Sequence, residues 1–172
     1  MCTPRHLFAT AVSVLVFSCQ SALAHSPSVS PIGMEHPALP GEGSPAERVV
    51  DAFHAALRAG DTTKAASLMA DDLLVFEAGN AERSKAAYAQ EHLAADAKFE
   101  STVVETVLRR SGATRGDTAW FATEGWIKGA SGDKTIDRLT TETMVLARTN
   151  AGWRIVHVHW PSRAAPSPKA VR

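Results

Sequence analysis

The residues of this sequence whose types and spacing could do chemistry are two glutamates and a handful of histidines. Glu142 and Glu124 lie in stretches of alternating polar and apolar residues that also carry Trp120, Trp126 and, further on, Trp160. A carboxylate held in a dry pocket against indole rings has a raised pKa and can serve as a general acid or base. Glu142 is therefore a candidate general base, with His92 or Tyr88 as proton donor. The competing reading is a cross-strand ion pair with Arg138 for Glu124, and a hydrogen-bonded structural carboxylate for Glu142. His157 and His159 stand two apart, so on a strand they project the same way, as paired metal ligands do. No third ligand stands near them, and a histidine pair at an interface between two copies is the expectation. Tyr88 and His92 share one helix face and could cover a pocket mouth or simply edge the core. His54 sits beside the apolar stripe of the first helix and is expected in solvent or at the rim of the fold.

The elements that must position these residues are legible from periodicity. Ser44-Pro45-Ala46-Glu47 offers a capping serine, a proline at the first helical position and a glutamate that can reach back. Val49, Val50, Phe53 and Leu57 follow at helical spacing, and Gly60 stops the helix. Asp61 can cap a second short helix carrying Ala65, Leu68 and Met69. Leu73 to Phe76 reads as a short strand, and Ser84 can cap a third helix bearing Tyr88, His92 and Leu93. From about Ala97 the period changes to two. Four strands are expected, Phe99–Arg110, Thr118–Lys128, Lys134–Arg148 and Trp153–Trp160, joined by short turns that carry glycine and therefore antiparallel. Helices first and a long-stranded meander second is an α+β layout, with about three helices on the concave face of a curved antiparallel (mixed) sheet.

Length and composition bound the rest. The 172 residues hold 18 basic and 18 acidic side chains and are 45% hydrophobic, which fits one ordinary domain and excludes the net basic surface of a typical nucleic-acid binder. Arg5 and His6 precede an uncharged run from Leu7 to Cys19, and Ala22-Leu23-Ala24 supplies small residues for cleavage. Residues 1–24 thus read as a secretory signal peptide cut after Ala24, and the chain as periplasmic or secreted. The run is too short to span a bilayer, and no stable membrane insertion is expected. An uncleaved anchor, or lipidation at Cys19, are the alternatives. Both cysteines, Cys2 and Cys19, fall in this segment, so the mature chain has no disulfide and no thiolate ligand. Residues 25–44 are rich in Pro, Ser and Gly and read as a flexible arm, 45–163 as the folded domain, and 164–172 as a tail. Cleavage would leave His25 as a new amino terminus able to chelate copper, with His36 on the same arm; incidental histidines are the plainer reading. No cofactor is expected.

The order of elements resembles the nuclear-transport-factor-2-like cone fold. Within it the chain is similar to the SnoaL-like branch and to the association domain of calcium/calmodulin-dependent kinase II. The residues that carry the resemblance are Phe53-His54-Ala55-Ala56-Leu57 with Gly60-Asp61, Phe76-Glu77-Ala78-Gly79, and above all the stretch from Gly152 to Arg163. The resemblance implies a cone whose helices close over the sheet to leave a pocket, and commonly a homodimer packed through the outer face of the sheet. It implies no single activity, because the fold hosts isomerases, cyclases, dehydratases, binders and assembly modules. The positions matching Met144 and Trp160 line the cavity of the kinase association domain, where both are arginine. Here they are apolar, which favours an apolar or aromatic ligand over an anion.

Strand pairing assigns the faces. A bulged turn at Gly152 sets Thr149 opposite Trp153 and, further along, Met144 opposite Val158, Val145 opposite His157 and Thr143 opposite His159. A similar turn at Gly132 sets Glu124 opposite Arg138 and Trp120 opposite Glu142. The expected pocket face then carries Trp120, Glu124, Trp126, Arg138, Glu142, Met144, Val156, Val158 and Trp160, with Tyr88 contributed by a helix. The expected dimer face carries Thr143, Val145, Ile155, His157 and His159. The first functional expectation is a dimeric module that binds an unidentified small, largely apolar molecule without catalysis. A cofactor-independent isomerase, hydratase or cyclase and a protein-assembly module are the alternatives.

Overall fold

A computed structural model describes residues 43–166. The segment expected to be a leader (1–24), most of the expected arm (25–44) and the end of the expected tail lie outside the described residues. Helix α1 (Pro45–Arg58) is capped by Ser44, whose hydroxyl accepts from the Glu47 N–H at 3.2 Å. Glu47 does not reach back; its carboxylate lies 3.7 Å from Arg110. Gly60 ends the turn after α1 at φ +71°. Asp61 caps α2 (Thr62–Ser67), and Ser84 caps α3 (Lys85–Glu91). Strands β1 (Met69–Glu77) and β2 (Asn80–Glu82) form a hairpin between α2 and α3.

Among the described residues there are four helices rather than three. The chain breaks at His92, where φ −124° leaves helical geometry, and restarts as α4 (Leu93–Glu100). Phe99, expected in a strand, therefore ends a helix. The long strands follow: β3 (Val103–Arg115), β4 (Thr118–Ser131), β5 (Lys134–Thr149) and β6 (Gly152–Trp160). A short β7 (Ser162–Ala164) pairs with β5 at Arg138 to Thr140, so the fold extends slightly past residue 163. Neighbours run β2-β1-β6-β5-β4-β3, all antiparallel except β1 with β6. The result is the expected α+β arrangement, a curved, unclosed and mostly antiparallel sheet with helices on its concave face. Val50, Phe53 and Leu57 of α1 pack with Leu73, Val75, Phe121, Met144, Leu146, Ile155 and Val158 of the sheet.

Two register details decide which side chains face this core. The β4–β5 hairpin closes through Gly132-Asp133, with Ser131 opposite Lys134 and Gly132 at φ +58° in the first turn position, where a two-residue turn of this kind needs glycine. The expected longer turn is absent, and the pairing differs from expectation by three residues. An odd difference exchanges the faces of β4. Trp120 lies opposite Val145, Glu124 opposite Thr141 and Trp126 opposite Leu139. All three belong to the outer face, and the inner face of β4 holds Ala119, Phe121, Thr123 and Ile127.

The last hairpin keeps its expected pairs Thr143–His159, Met144–Val158 and Val145–His157, but the bulge sits elsewhere. Thr149 opposes Gly152, and the extra residue is Val156, between pairs Val145–His157 and Leu146–Ile155. Trp153 and Ile155 are thereby turned inward before the bulge, and Val158 and Trp160 after it. Ile155, expected outside, is fully buried. Ser111 and Gly112 lie inside β3, where Gly112 pairs with Phe121 and a Cβ would lie 2.4 Å from the Phe121 ring.

These faces are testable by paired substitutions. Met144→Ala empties a fully buried site and is expected to cost about 2–5 kcal/mol. Thr143→Ala, one residue away on the outer face, is expected to change stability by about 0.5 kcal/mol or less. Urea unfolding of the two variants measures the contrast.

Candidate functional site

One end of the fold encloses a cavity of about 270 Å³. Helix α1 contributes His54 and Leu57, α4 contributes Asp96, Phe99 and Glu100, and the strands contribute Glu77, Glu105, Ile127, Arg138, Thr140, Thr141, Glu142 and Trp160. The walls are mainly apolar, and half of the ten polar residues set into them are carboxylates.

The centre of the site is a buried pair. His54 Nε2 lies 2.8 Å from Glu142 Oε2, and the Trp160 indole N–H donates to the same oxygen at 2.6 Å. His54 is 9% exposed and Glu142 is 7% exposed. Phe53 stacks on Trp160 with centroids 6.1 Å apart and meets His54 edge-on at 5.8 Å, which fixes both rings. Burial alone would depress the imidazole, yet the Glu142 carboxylate beside it holds His54 above 6.5. Burial would raise Glu142, but His54, the indole N–H and the charge of Arg110 together hold it below the ordinary carboxylate value. Both shifts favour the charged pair, imidazolium and carboxylate, over the neutral one. His54 Nδ1 and Glu142 Oε1 are buried and have no hydrogen-bond partner. Those two atoms, one donor and one acceptor, are what the pair offers to a bound molecule.

A second polar group lies alongside. Tyr88 is buried and its hydroxyl donates to Asp96 Oδ2 at 2.6 Å. His92 Nδ1 is in close contact with the buried Glu82 carboxylate. Burial, with Asp96, Glu82 and Glu100 nearby, pushes Glu77 up to about 7, and burial also raises Asp96 and Glu100. Glu82, Glu91 and His92 bring one ligand atom each to within 4.8 Å of one another, the one such group among the described residues. One nitrogen and two oxygens would suit a zinc-like ion, although the Glu82–His92 pair already occupies two of them. This group lies outside the cavity lining.

Of the residues expected to line the pocket, Arg138, Glu142 and Trp160 do so. Arg138 makes no cross-strand pair with Glu124; it donates to Ser162 Oγ at 3.0 Å and to the Ser162 carbonyl at 3.1 Å. Trp120, Glu124 and Trp126 are on the other face for the register reason given above. Trp126 donates to Asp137 at 2.6 Å and lies under the Lys128 ammonium. Met144 and Val158 face inward but are sealed in the core, and Tyr88 and His92 stand behind Asp96 and Glu82. On the outer face, Val145 and Thr143 accompany His157 and His159. His157 Nδ1 is 2.9 Å from the Leu74 carbonyl, and Phe76 meets both rings edge-on.

His54 is the residue that sequence reasoning misplaced. The signal was present: Val50, Phe53, His54 and Leu57 form an i, i+3, i+4, i+7 stripe, which puts the imidazole on the buried face. Glu100 and Glu105 were missed because the α4–β3 boundary was drawn too early.

The buried pair sets a pH signature. A raised His54 contributes stability below its unfolded value near 6.5 and loses it as pH rises through the folded value. A lowered Glu142 contributes above its unfolded value near 4.5 and loses it as pH falls through the folded value. In Glu142→Gln the largest influence holding the imidazole up is gone and burial weighs against its charged form, opposed only by Glu105 and Glu100, so the contribution of His54 should shrink. Thermal unfolding between about pH 5.5 and 8.5 is expected to show a fall in Tm toward alkaline pH for the native chain, to which the raised Glu77 also contributes, and a shallower fall in the variant.

Comparison with known proteins agrees with this architecture. Residues 46–162 match the family model described as a SnoaL-like domain. A candidate ketosteroid isomerase from Shewanella frigidimarina is 34% identical, with a TM-score of 0.67 over 70% of this chain and 98% of that one. A candidate calcium/calmodulin-dependent protein kinase II association domain from Xanthomonas campestris is 22% identical, with a TM-score of 0.58 over 76% of this chain and 94% of that one. A candidate dehydratase of the NTF2-like family from Streptomyces avermitilis is 18% identical, with a TM-score of 0.56 over 70% of this chain and 94% of that one. No curated protein matches the sequence.

Proposed function

The chain belongs to the SnoaL-like family, and on that premise we propose that its cavity takes up a small molecule with a largely apolar body and moves a proton on it without a cofactor. The observation that carries this reading is the 2.8 Å contact between His54 and Glu142 inside the cavity. Glu142 Oε2 is held by two donors, so Oε1 is the oxygen free to accept a proton from an acidified carbon. The imidazolium returns a proton to the substrate. Delivered to a carbonyl oxygen, it completes an enolisation; delivered to a departing hydroxyl, it releases water. In both cases the pair is left as neutral imidazole, lacking its Nδ1 proton, and carboxylic acid, protonated on Oε1; loss of the Oε1 proton to water entering the cavity and uptake of one at Nδ1 restore the starting charges. This division of labour needs only a desolvated carboxylate and a polarising donor.

A second reading, binding without turnover, is favoured by one observation: the Trp160 N–H at 2.6 Å fixes Glu142 as firmly as a structural carboxylate. We place the contact between two copies on the outer face, at Thr143, Val145, His157 and His159. Export after cleavage near Ala24 belongs to the same proposal.

Glu142→Gln and His54→Gln separate the readings. Assayed on small β,γ-unsaturated ketones and β-hydroxy ketones, both variants are expected to lose about 100-fold or more of kcat/KM while retaining ligand binding within a few-fold. Turnover that survives in both variants removes the proton-transfer reading and leaves the binding one.

A further inference from the structure

We propose that the molecule held in this cavity carries a positive charge, an organic ammonium or amidinium joined to an apolar body. The inference rests on the pocket reading above and refines it. Besides Glu142, which is matched by His54, the cavity is lined by four carboxylates: Glu77, Asp96, Glu100 and Glu105. Among the described residues none of the four has a basic partner within 4.0 Å. The other lining cation is Arg138, and its guanidinium is turned to Ser162. Four half-buried acids around one small volume repel one another, and Glu142 Oε1 behind them is a buried acceptor without a donor. A cation in the cavity would relieve both conditions at once.

The arrangement selects the kind of cation. A metal ion needs three or more ligand atoms converging on a point. The carboxylates of the lining do not converge in that way, because the one such group among the described residues is Glu82, Glu91 and His92, outside the cavity. Spread carboxylates between apolar walls suit a larger organic cation instead. The Phe99 and Trp160 rings in the lining offer the faces on which an ammonium or guanidinium-like group is attracted. The elevated values of Glu77, Asp96 and Glu100 agree, since each would fall once a positive charge entered.

The test uses the full chain, untagged, and three matched probes: 2-phenylethylamine, 2-phenylethanol and phenylacetate. Titration calorimetry and ligand-observed NMR are expected to show the amine binding at least about tenfold tighter than either of the others. Glu100→Gln with Glu105→Gln should weaken the amine by about tenfold and leave the alcohol unchanged, with circular dichroism confirming the fold. Asp72→Asn removes a charge outside the lining and should change nothing. Equal binding of the alcohol, tighter binding of phenylacetate, or an amine preference that survives the double substitution would overturn the charge inference while sparing the pocket. Binding of none of the three would overturn the pocket reading itself and the inference with it.

Discussion

The structure depends on keeping one carboxylate ionised out of water. Glu142 is almost wholly enclosed, and an isolated charge in that position would cost several kcal/mol. Three elements converge to prevent this. Helix α1 delivers an imidazole, the last residue of β6 delivers an indole N–H, and β3 delivers the more distant charge of Arg110. Arg110 is itself tied to Asp51 of α1 at 2.6 Å and to Thr123 of β4 at 3.1 Å. The polar contacts thus run from the helix through the sheet and back, and the apolar core fills the space beside them. Removing one partner would leave the others buried and unmatched, which is why the site and the fold cannot be separated energetically.

Much of this was legible in the sequence because the signals were local. Ser44, Asp61 and Ser84 each cap the helix they were expected to cap, since a side-chain oxygen meets a free N–H only a few residues away. Met144 does face Val158 as expected, but because the bulge at Val156 supplies the one-residue offset that was expected at Gly152. The faces of β4 were not legible, because they depend on whether Gly132 opens a two-residue turn or a bulged one, and both suit the same glycine. The Val156 bulge was equally hidden: an extra residue in a run of β-branched and aromatic side chains leaves no compositional mark. His54 was misread for a different reason. A histidine on a helix is usually at the surface, and the partner that makes burial tolerable lies 88 positions away in the chain.

The register outcome also explains the character of the cavity. With β4 seated in the expected way, two tryptophans would have filled the inner face. Instead Phe121, Thr123 and Ile127 face inward, leaving room beneath α1 and α4. Into that room project the acids of β1, α4 and β3, and the family fold, which otherwise prescribes only a hollow, acquires here a distinctly anionic one.

The parallel pairing of β1 with β6 has a consequence for biogenesis. Leu74 finds its neighbour His157 only after every intervening strand has been synthesised. Until then that edge of β1 is bare, and the imidazole at position 54 waits for its counter-ion until β5 has emerged. Closure of the sheet is thus a late event of high contact order, slow by nature and exposed to intermolecular strand pairing. A nascent chain of this design therefore gains from being kept apart from its siblings until its final strand emerges.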